Sequence, residues 1–337
     1  MSRIQHISSI GHNCRDAAKS SQWYVNTLGF AELDGQLFGG EWLAELLNIP
    51  RASIERRRLL VGQETLELWQ FNQGFAAEAE EPLKGPPPCP AGNDASFQHI
   101  CVVTRDLAEA ITLGASHSRQ ISSAPQRLPD WNPGAGGIWA VKFQDPDGHP
   151  LELLQFPNGK GDPRWQQPTA ASPKLHGQQQ PSKTSLFLGL DHTAISIQDT
   201  ERSLEFYGSI LGMTVAGQGH NHGPEQDGMD GLIGTDVLIS SLRPAEKGMG
   251  IELLNYRKPE GGQCPRPDPK ATDTVEWRIG AVVDDLVTLH QRLLSEPLAQ
   301  QLGPLVKVPV GFGPGDLACQ LRDPDGHALL LFADSTC

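Results

Sequence analysis

The chain has 337 residues, of which 38% are hydrophobic, enough for two domains with substantial apolar cores. It carries 27 Lys and Arg against 40 Asp and Glu, a formal net charge of −13. This acidic balance argues against nucleic acid as a partner, because a phosphate backbone is bound by clustered cations.

Cysteine usage and the N-terminal stretch indicate the cellular setting. The six cysteines include no Cys-x-x-Cys pair, which disfavours structural zinc and a disulfide scaffold. The opening MSRIQHISSIGHNC has no apolar signal segment, and no window approaches the ~18 apolar residues of a membrane span. We therefore expect a soluble, cytoplasmic protein with free thiols and no membrane partner.

The first half of the chain predicts two units with the same plan. The segment IQHISSIGHNCRDAAKSSQWYVNTLGF predicts a strand and a helix, with Asn13 as N-cap and Gly29 as the glycine that ends the helix. Further strands end in ETLELWQF, so residues 1–71 form a β-α-β-β-β module. The segment SFQHICVVTRDLAEAITLGA, with a cap at Asp106, opens a second module at 94–156.

The second half repeats this plan. LDHTAISIQDTERSLEFYGSILGM, with a cap at Asp199, opens a module at 186–257, and VEWRIGAVVDDLVTLHQRLL, with a cap at Asp285, opens another at 272–334. DPDGHPLELLQF near the end of the second module returns as DPDGHALLLF in the fourth. Asp-Pro-Asp-Gly predicts a tight turn between two strands.

A linker separates the two halves. Residues 157–185 are rich in Gln, Pro, Ser and Lys and lack apolar periodicity. The sequence therefore predicts one domain over 1–156 and another over 186–334.

The repeated openings QHISSI and DHTAISI, with the closings LELW and DPDGHPLELL, resemble the vicinal oxygen chelate superfamily. That group includes glyoxalases, bleomycin-resistance proteins and extradiol dioxygenases. The resemblance implies an α+β fold in which two modules form one cup of curved mixed sheet. It also implies a divalent metal inside the cup, held by residues on the first and last strands of each module.

The resemblance assigns two ligand positions to each module. They are His6 and Glu67 in the first module, His99 and Glu152 in the second, and His192 and Glu252 in the third. The fourth module has Arg278 and Leu330 instead, so one metal site is complete and the other is degenerate. The spacing supports this alignment, since 61 positions separate the first pair and 60 the third.

Module pairing decides which residues share a site. Consecutive pairing brings together His6, Glu67, His99 and Glu152. Exchanged pairing, which joins the second and third modules, brings together His99, Glu152, His192 and Glu252. Consecutive pairing is favoured, because sequential elements usually neighbour each other and the linker lies between the pairs.

The leading functional prediction is a metal-dependent lyase or isomerase of the glyoxalase or epimerase kind, acting on a small carbonyl compound. Imidazole and carboxylate ligands suit Zn, Ni, Co, Mn or Fe and leave positions for substrate oxygens. The resemblance implies proton transfer through an enediolate, with Glu152 as the base and Glu67 as the alternative.

Two other functions remain open. An Fe(II) extradiol dioxygenase would use His6, His99 and Glu152 as a two-His, one-carboxylate triad. Similar two-domain dioxygenases hold their metal in the C-terminal domain, and Arg278 and Leu330 in the fourth module count against this. A non-catalytic binding protein of the bleomycin-resistance type could use Arg278 to bind an anionic group. The sequence leaves monomer and homodimer open.

Overall fold

The four β-α-β-β-β modules predicted from the sequence are confirmed. The computed structural model describes residues 2–72, 90–114, 118–166, 185–264 and 269–334. In the first and third modules a short extra helix follows the second strand. The architecture is two eight-stranded, curled mixed sheets with few helices, as expected for the predicted α+β class.

The first two modules contain strands β1 to β8 and helices α1 to α3. The first consists of β1 (Ile4–Asn13), α1 (Ala17–Leu28), β2 (Ala31–Gly39), α2 (Glu41–Leu47), β3 (Ser53–Val61) and β4 (Glu64–Phe71). The second consists of β5 (Gln98–Thr104), α3 (Leu107–Leu113), β6 (Gln126–Arg127), β7 (Trp139–Gln144) and β8 (Pro150–Gln155).

The last two modules contain strands β9 to β16 and helices α4 to α6. The third consists of β9 (Phe187–Ser196), α4 (Thr200–Leu204), a π-helical continuation (Glu205–Ile210), β10 (Thr214–His222), α5 (Pro224–Asp230), β11 (Asp236–Arg243) and β12 (Gly250–Lys258). The fourth consists of β13 (Trp277–Val283), α6 (Leu286–Leu293), β14 (Val306–Lys307), β15 (Leu317–Arg322) and β16 (Ala328–Ala333).

In each module the helix that follows the first strand (α1, α3, α4 and α6) begins at an aspartate whose side chain accepts a backbone N–H three residues on. The predicted caps Asp106, Asp199 and Asp285 are confirmed. The prediction of Asn13 is wrong, because strand β1 extends to Asn13 and Asp16 caps the helix instead. All four helices therefore start at equivalent positions, which gives an internal alignment of the modules.

The preference for consecutive pairing is wrong. The first sheet has the strand order β14-β15-β16-β13-β1-β4-β3-β2, so it joins the first and fourth modules. The second sheet has the order β10-β11-β12-β9-β5-β8-β7-β6, so it joins the second and third. Within each sheet the first strands of the two modules pair antiparallel, β1 with β13 and β5 with β9.

The first and second modules also touch, as do the third and fourth, but through side chains rather than strand pairing. The Tyr24 hydroxyl of α1 donates to Asp145 in the Asp-Pro-Asp-Gly turn of the second module, at 3.0 Å. Tyr207 donates in the same way to Asp323 of the fourth module, also at 3.0 Å. The two modules within each half of the chain are thus adjacent in space, as is usual for sequential elements, although their strands belong to different sheets.

The two faces of each sheet have different roles. One face of both sheets, together with the module helices, forms a single apolar core. Because side chains alternate along a strand, the residues between those core positions point to the opposite face. We call these opposite faces the first cup, which carries Glu67 and Arg278, and the second cup, which carries His99 and Glu152.

The predicted linker at 157–185 lies partly outside the described residues, which omit 167–184. Its described part includes a single 3-10 turn at Pro163–Trp165, whose tryptophan is buried. No helix in the described part of the chain is long and apolar enough to cross a membrane.

Candidate metal centre

The second cup brings together four predicted ligands from four adjacent strands. His99 lies on β5 and His192 on β9, the antiparallel pair at the centre of the sheet. Glu152 on β8 and Glu252 on β12 flank this pair, one on each side. All four side chains point away from the shared core, so exchanged pairing assembles the set that consecutive pairing would have separated.

The reactive atoms of these side chains converge. His99 Nε2 is 3.1 Å from Glu152 Oε2, and His192 Nε2 is 3.7 Å from the same oxygen. His192 Nε2 is also 3.5 Å from Glu252 Oε2. The first three side chains are buried, whereas the side chain of Glu252 remains 22% exposed.

This donor set fits a divalent ion. Ligand atoms of His99, Glu152 and His192 all lie within 4.8 Å of one another. Nitrogen and oxygen ligands at about 2.1 Å from one tetrahedral ion are about 3.4 Å apart, close to the separations seen here. Two imidazoles with one or two carboxylates suit borderline ions such as zinc, iron, cobalt, nickel and manganese.

A buried carboxylate orients His192. Its Nδ1 lies 3.0 Å from Asp191 Oδ2, so an Nδ1 proton is held by Asp191 and Nε2 is left to face the cup. Asp191 is itself fixed by Trp165 Nε1 at 3.2 Å and by Arg243 at 3.3 Å. A carboxylate behind a ligating histidine is a common way to set its tautomer and strengthen it as a ligand.

The electrostatics match a site for a cation. Burial disfavours the charged form of His192, but the carboxylates of Glu252, Asp191 and Glu152 together raise its pKa to about 10. Burial also disfavours a charged Glu152, yet Lys142 and both histidines hold its pKa well below the usual range. A positive charge is therefore favoured between these groups, and a bound metal would displace the proton from His192.

Sequence reasoning missed two residues of this site, Asp191 and Lys142. Asp191 directly precedes His192, so the sequence shows an acidic residue next to a predicted ligand. Lys142 pairs across the β7–β8 hairpin with Glu152. The Asp-Pro-Asp-Gly turn fixes that register, and counting outward from it would have placed Lys142 beside Glu152.

Within the described part of the chain, His6, the predicted first-module ligand, is not part of a cluster that could hold a metal. His6 is 38% exposed and pairs with Glu246 at 3.1 Å. His192 lies seven residues before its helix cap Asp199, and the residue seven before Asp16 is Ser9, not His6. The similar spacing was coincidental, because the third module has two more residues between its first and last strands.

The predicted set of His6, Glu67, His99 and Glu152 is therefore not assembled. Glu67 is in the first sheet, whereas His99 and Glu152 are in the second. Glu67 faces Gly11 of β1, five residues or about 16 Å along the strand from His6. Glu67 accepts from Trp69 Nε1 at 2.9 Å and lies 3.6 Å from the buried Arg56 guanidinium.

The first cup is packed. Arg278 donates to Asn13 Oδ1 at 2.8 Å and to a backbone carbonyl, and its guanidinium lies over the Trp69 ring at 4.4 Å. An apolar cluster that includes Phe312 and Leu330 occupies the same face. Burial lowers the pKa of Arg278 to about 10. A role for Arg278 in binding an anion stays a prediction, and its contacts with the protein do not favour it.

A second cluster, His12, Asp145 and His149, is also close enough to hold a metal. Its atoms are already used within the protein. Asp145 accepts from the Tyr24 hydroxyl and from two backbone N–H groups, and His149 Nε2 lies 2.6 Å from the Asn13 carbonyl. We interpret this cluster as the contact between the first two modules.

Comparison with known proteins places the chain in a family. The model of the Glyoxalase/Bleomycin resistance protein/Dioxygenase superfamily matches residues 3–153 and 189–331. No curated protein matches the chain significantly.

Two of the similar solved structures cover both halves of the chain. Glyoxalase I from Zea mays aligns with a TM-score of 0.57 at 17% identity, covering 100% of this chain and 93% of that one. A "putative dioxygenase" from Bacillus subtilis subsp. subtilis str. 168 aligns at 0.56 and 12% identity, covering 99% and 87%. At these identities the likeness shows the fold alone. With the family match over both halves, the chain belongs to the Glyoxalase/Bleomycin resistance protein/Dioxygenase superfamily.

Proposed function

We propose that the protein is a divalent-metal-dependent lyase or isomerase of the glyoxalase type, acting on a small carbonyl compound in the second cup. The observation that carries this proposal is the convergence of His99, Glu152, His192 and Glu252. Glu252, a partly exposed carboxylate beside the other three residues, supplies a group that can move a proton.

Three of these residues are proposed as metal ligands. His99, His192 and Glu152 would hold the ion. When bound, a divalent ion supplies Lewis acidity that polarises a substrate carbonyl and acidifies the adjacent carbon. These three side chains are buried, so they would hold the ion away from bulk water, where electrostatic interactions are stronger.

Glu252 is the carboxylate better placed to transfer the proton. Its Oε1 accepts from Ser241 Oγ at 2.7 Å, which orients the group, while Oε2 faces the cup. Glu152, predicted from the sequence as the base, lies between two histidines and beside Lys142, where its charged form is strongly stabilised. A carboxylate so stabilised is a good ligand and a weak base.

One observation favours a second function. His99, His192 and Glu152 form a two-His, one-carboxylate set, which is the ligand set of non-haem Fe(II) oxygenases. An extradiol dioxygenase would require Fe(II) and consume oxygen with a catechol, whereas the proposed lyase or isomerase would work without oxygen. Activity on carbonyl compounds under nitrogen therefore separates the two.

Metal analysis tests the site itself. We expect about one equivalent of divalent metal in the wild type purified without a His tag. It should be lost in His99→Ala, Glu152→Ala and His192→Ala and kept in His6→Ala, the matched exposed histidine. Glu252→Gln should retain most of the metal and lose activity.

Failure to bind metal in the wild type after reconstitution with each candidate ion would overturn the proposal. It would leave a metal-free binding protein as the remaining function. Metal retained in all three ligand variants, with the fold intact by circular dichroism, would show that the ion binds elsewhere.

A further inference from the structure

Lys142 is a buried cation in the second cup, beside the metal ligands. It is the direct cross-strand partner of Glu152 on the β7–β8 hairpin, so the two side chains leave the same face of the sheet. Its side chain is only 4% exposed. Burial opposes its charge, but Asp230 and Glu152 raise its pKa, so the ammonium is charged at neutral pH.

The Lys142 ammonium has more N–H donors than hydrogen-bond partners in the described part of the chain. Lys142 Nζ donates to Asp230 Oδ1 at 2.7 Å, and among the described residues this is its one hydrogen-bond partner. The Phe97 ring lies 5.8 Å away on another side. An ammonium carries three donors, and leaving buried donors unused is costly unless a ligand takes them up.

Asp230, at the end of helix α5, fixes this ammonium in place. Its other oxygen, Oδ2, accepts from Gln226 Nε2 at 2.8 Å and from the Tyr256 hydroxyl at 3.0 Å. These two bonds hold the carboxylate, and the carboxylate holds Lys142. Asp230 is thus a positioning residue for a cation that points into the cup.

The first cup provides an internal comparison. Gln320 pairs with Leu330 there, just as Lys142 pairs with Glu152 in the second cup. The cup with the His and Glu ligands has a cation at this position, and the cup without them has a neutral amide. At this position the cation accompanies the His and Glu ligands, although the first cup holds buried guanidinium groups elsewhere, at Arg56 and Arg278.

We propose that Lys142 binds the carboxylate of an anionic substrate, a small carbonyl compound whose carbonyl oxygen lies toward His99, His192 and Glu152. The proposal rests on the proposed function and narrows its substrate class to carbonyl acids. It assigns Lys142 a specificity role, since a neutral substrate of the same shape would leave the ammonium donors unused.

Binding to matched acids and amides tests this role. Wild type loaded with Co²⁺ is titrated with pyruvate and 4-oxopentanoate, each against its amide, by calorimetry and by the cobalt absorption spectrum. We expect each acid to bind at least about tenfold more tightly than its amide, as for a charge-assisted hydrogen bond. Lys142→Met should abolish this difference without releasing cobalt, and the exposed Lys307→Met should keep it.

Asp230 variants separate recognition from structure. Asp230→Asn can still accept the bonds of Gln226 and Tyr256 but no longer neutralises the ammonium, so acid binding should be retained or strengthened. The double variant Lys142→Met/Asp230→Asn leaves no unpaired buried charge and should lose the preference for acids. A purely structural ion pair would instead make Asp230→Asn as damaging as Lys142→Met.

The outcomes are distinguishable. Wild type that holds cobalt but binds acid and amide alike, or binds neither, overturns the role of Lys142 and leaves the metal site standing. An acid preference that survives in the folded double variant overturns it as well. Wild type that takes up no metal overturns the proposed function and this inference with it.

Discussion

At the level of single residues, His12 is a buried titratable group with no counterpart in the third module. Its Nε2 lies 3.1 Å from the Tyr24 hydroxyl, and its ring centroid lies 4.0 Å from that of His149. Counted from the helix caps, the equivalent residue is Ile195. Burial, with the nearby His149, lowers the pKa of His12 well below its usual value.

His12 should therefore make the protein less stable in acid. An unfolded histidine has a pKa near 6.5, and because the folded value is lower, the unfolded chain binds an extra proton below about pH 6.5. The free energy of unfolding should fall there by up to about 1.4 kcal/mol per pH unit for this group. In urea titrations between about pH 7.5 and about pH 5.5, His12→Ile should show a shallower decline.

The exposed His6→Gln serves as control and should keep the wild-type decline. If His12→Ile loses stability in acid as steeply as the wild type, another group is responsible for the acid sensitivity.

Asp191 offers a second residue-level test. Asp191→Asn removes the charge that orients His192, so we expect metal affinity to fall by about 10- to 100-fold, as for other carboxylates behind ligating histidines. A competition titration with a coloured chelator measures this. Asp236→Asn changes the same kind of pair at the exposed His220, 2.9 Å away, and should leave affinity unchanged. Equal affinities in all three proteins would argue against His192 as a ligand.

Residue type and register explain which site residues were predictable. The family resemblance assigned His99 and Glu152 to ligand positions on the first and last strands of the second module, and the structure places them together. His6 was matched to His192 because both are histidines, and not by the distance of each residue from its helix cap. The three-residue shift places His6 opposite Val282 of β13 rather than opposite Gly280, the partner of Ser9, so His6 lies farther toward the start of β1.

At the level of elements, helices α2 and α5 occupy matching places and are held differently. Helix α2 buries Leu43, Leu46 and Leu47 in the apolar cluster of the first cup. Helix α5 contributes only Met229 to an apolar cluster and is held by polar contacts of Gln226 and Asp230. Because α5 buries fewer apolar side chains than α2, we expect α5 to separate from its sheet more readily.

Hydrogen exchange should show this difference. Burying a leucine side chain stabilises by about 1.5 to 3 kcal/mol, and α5 has no leucine and an internal glycine, Gly228. We expect the amides of α5 to exchange at least about tenfold faster than those of α2, measured by mass spectrometry on peptides covering each helix. Equal protection would mean that α5 is packed as firmly as α2.

At the level of the whole molecule, the four modules were predictable and their pairing was not. Caps, glycine stops and Asp-Pro-Asp-Gly turns are local signals that each module carries in its own residues. Pairing depends on which first strands meet, and β1, β5, β9 and β13 are all apolar enough to pair with any of the others. The exchanged arrangement is therefore seen in the strand order of the structure and not in the sequence of any one module.

Exchanged pairing predicts how the two halves behave apart. A chain ending at residue 166 would leave β1 and β5 without their partners β13 and β9, exposing two apolar strand edges. We therefore expect each half, expressed alone, to aggregate or remain unfolded. The two halves expressed together should purify as a one-to-one complex.

The metal content would show whether the two halves have assembled. His99 and Glu152 come from the first half, and His192 and Glu252 come from the second. The complex should hold about one equivalent of metal and each half alone none, as expected when the ligands come together only on assembly. A first half that folds as a stable monomer with its own metal would contradict the exchanged topology, since only consecutive pairing completes a cup within one half.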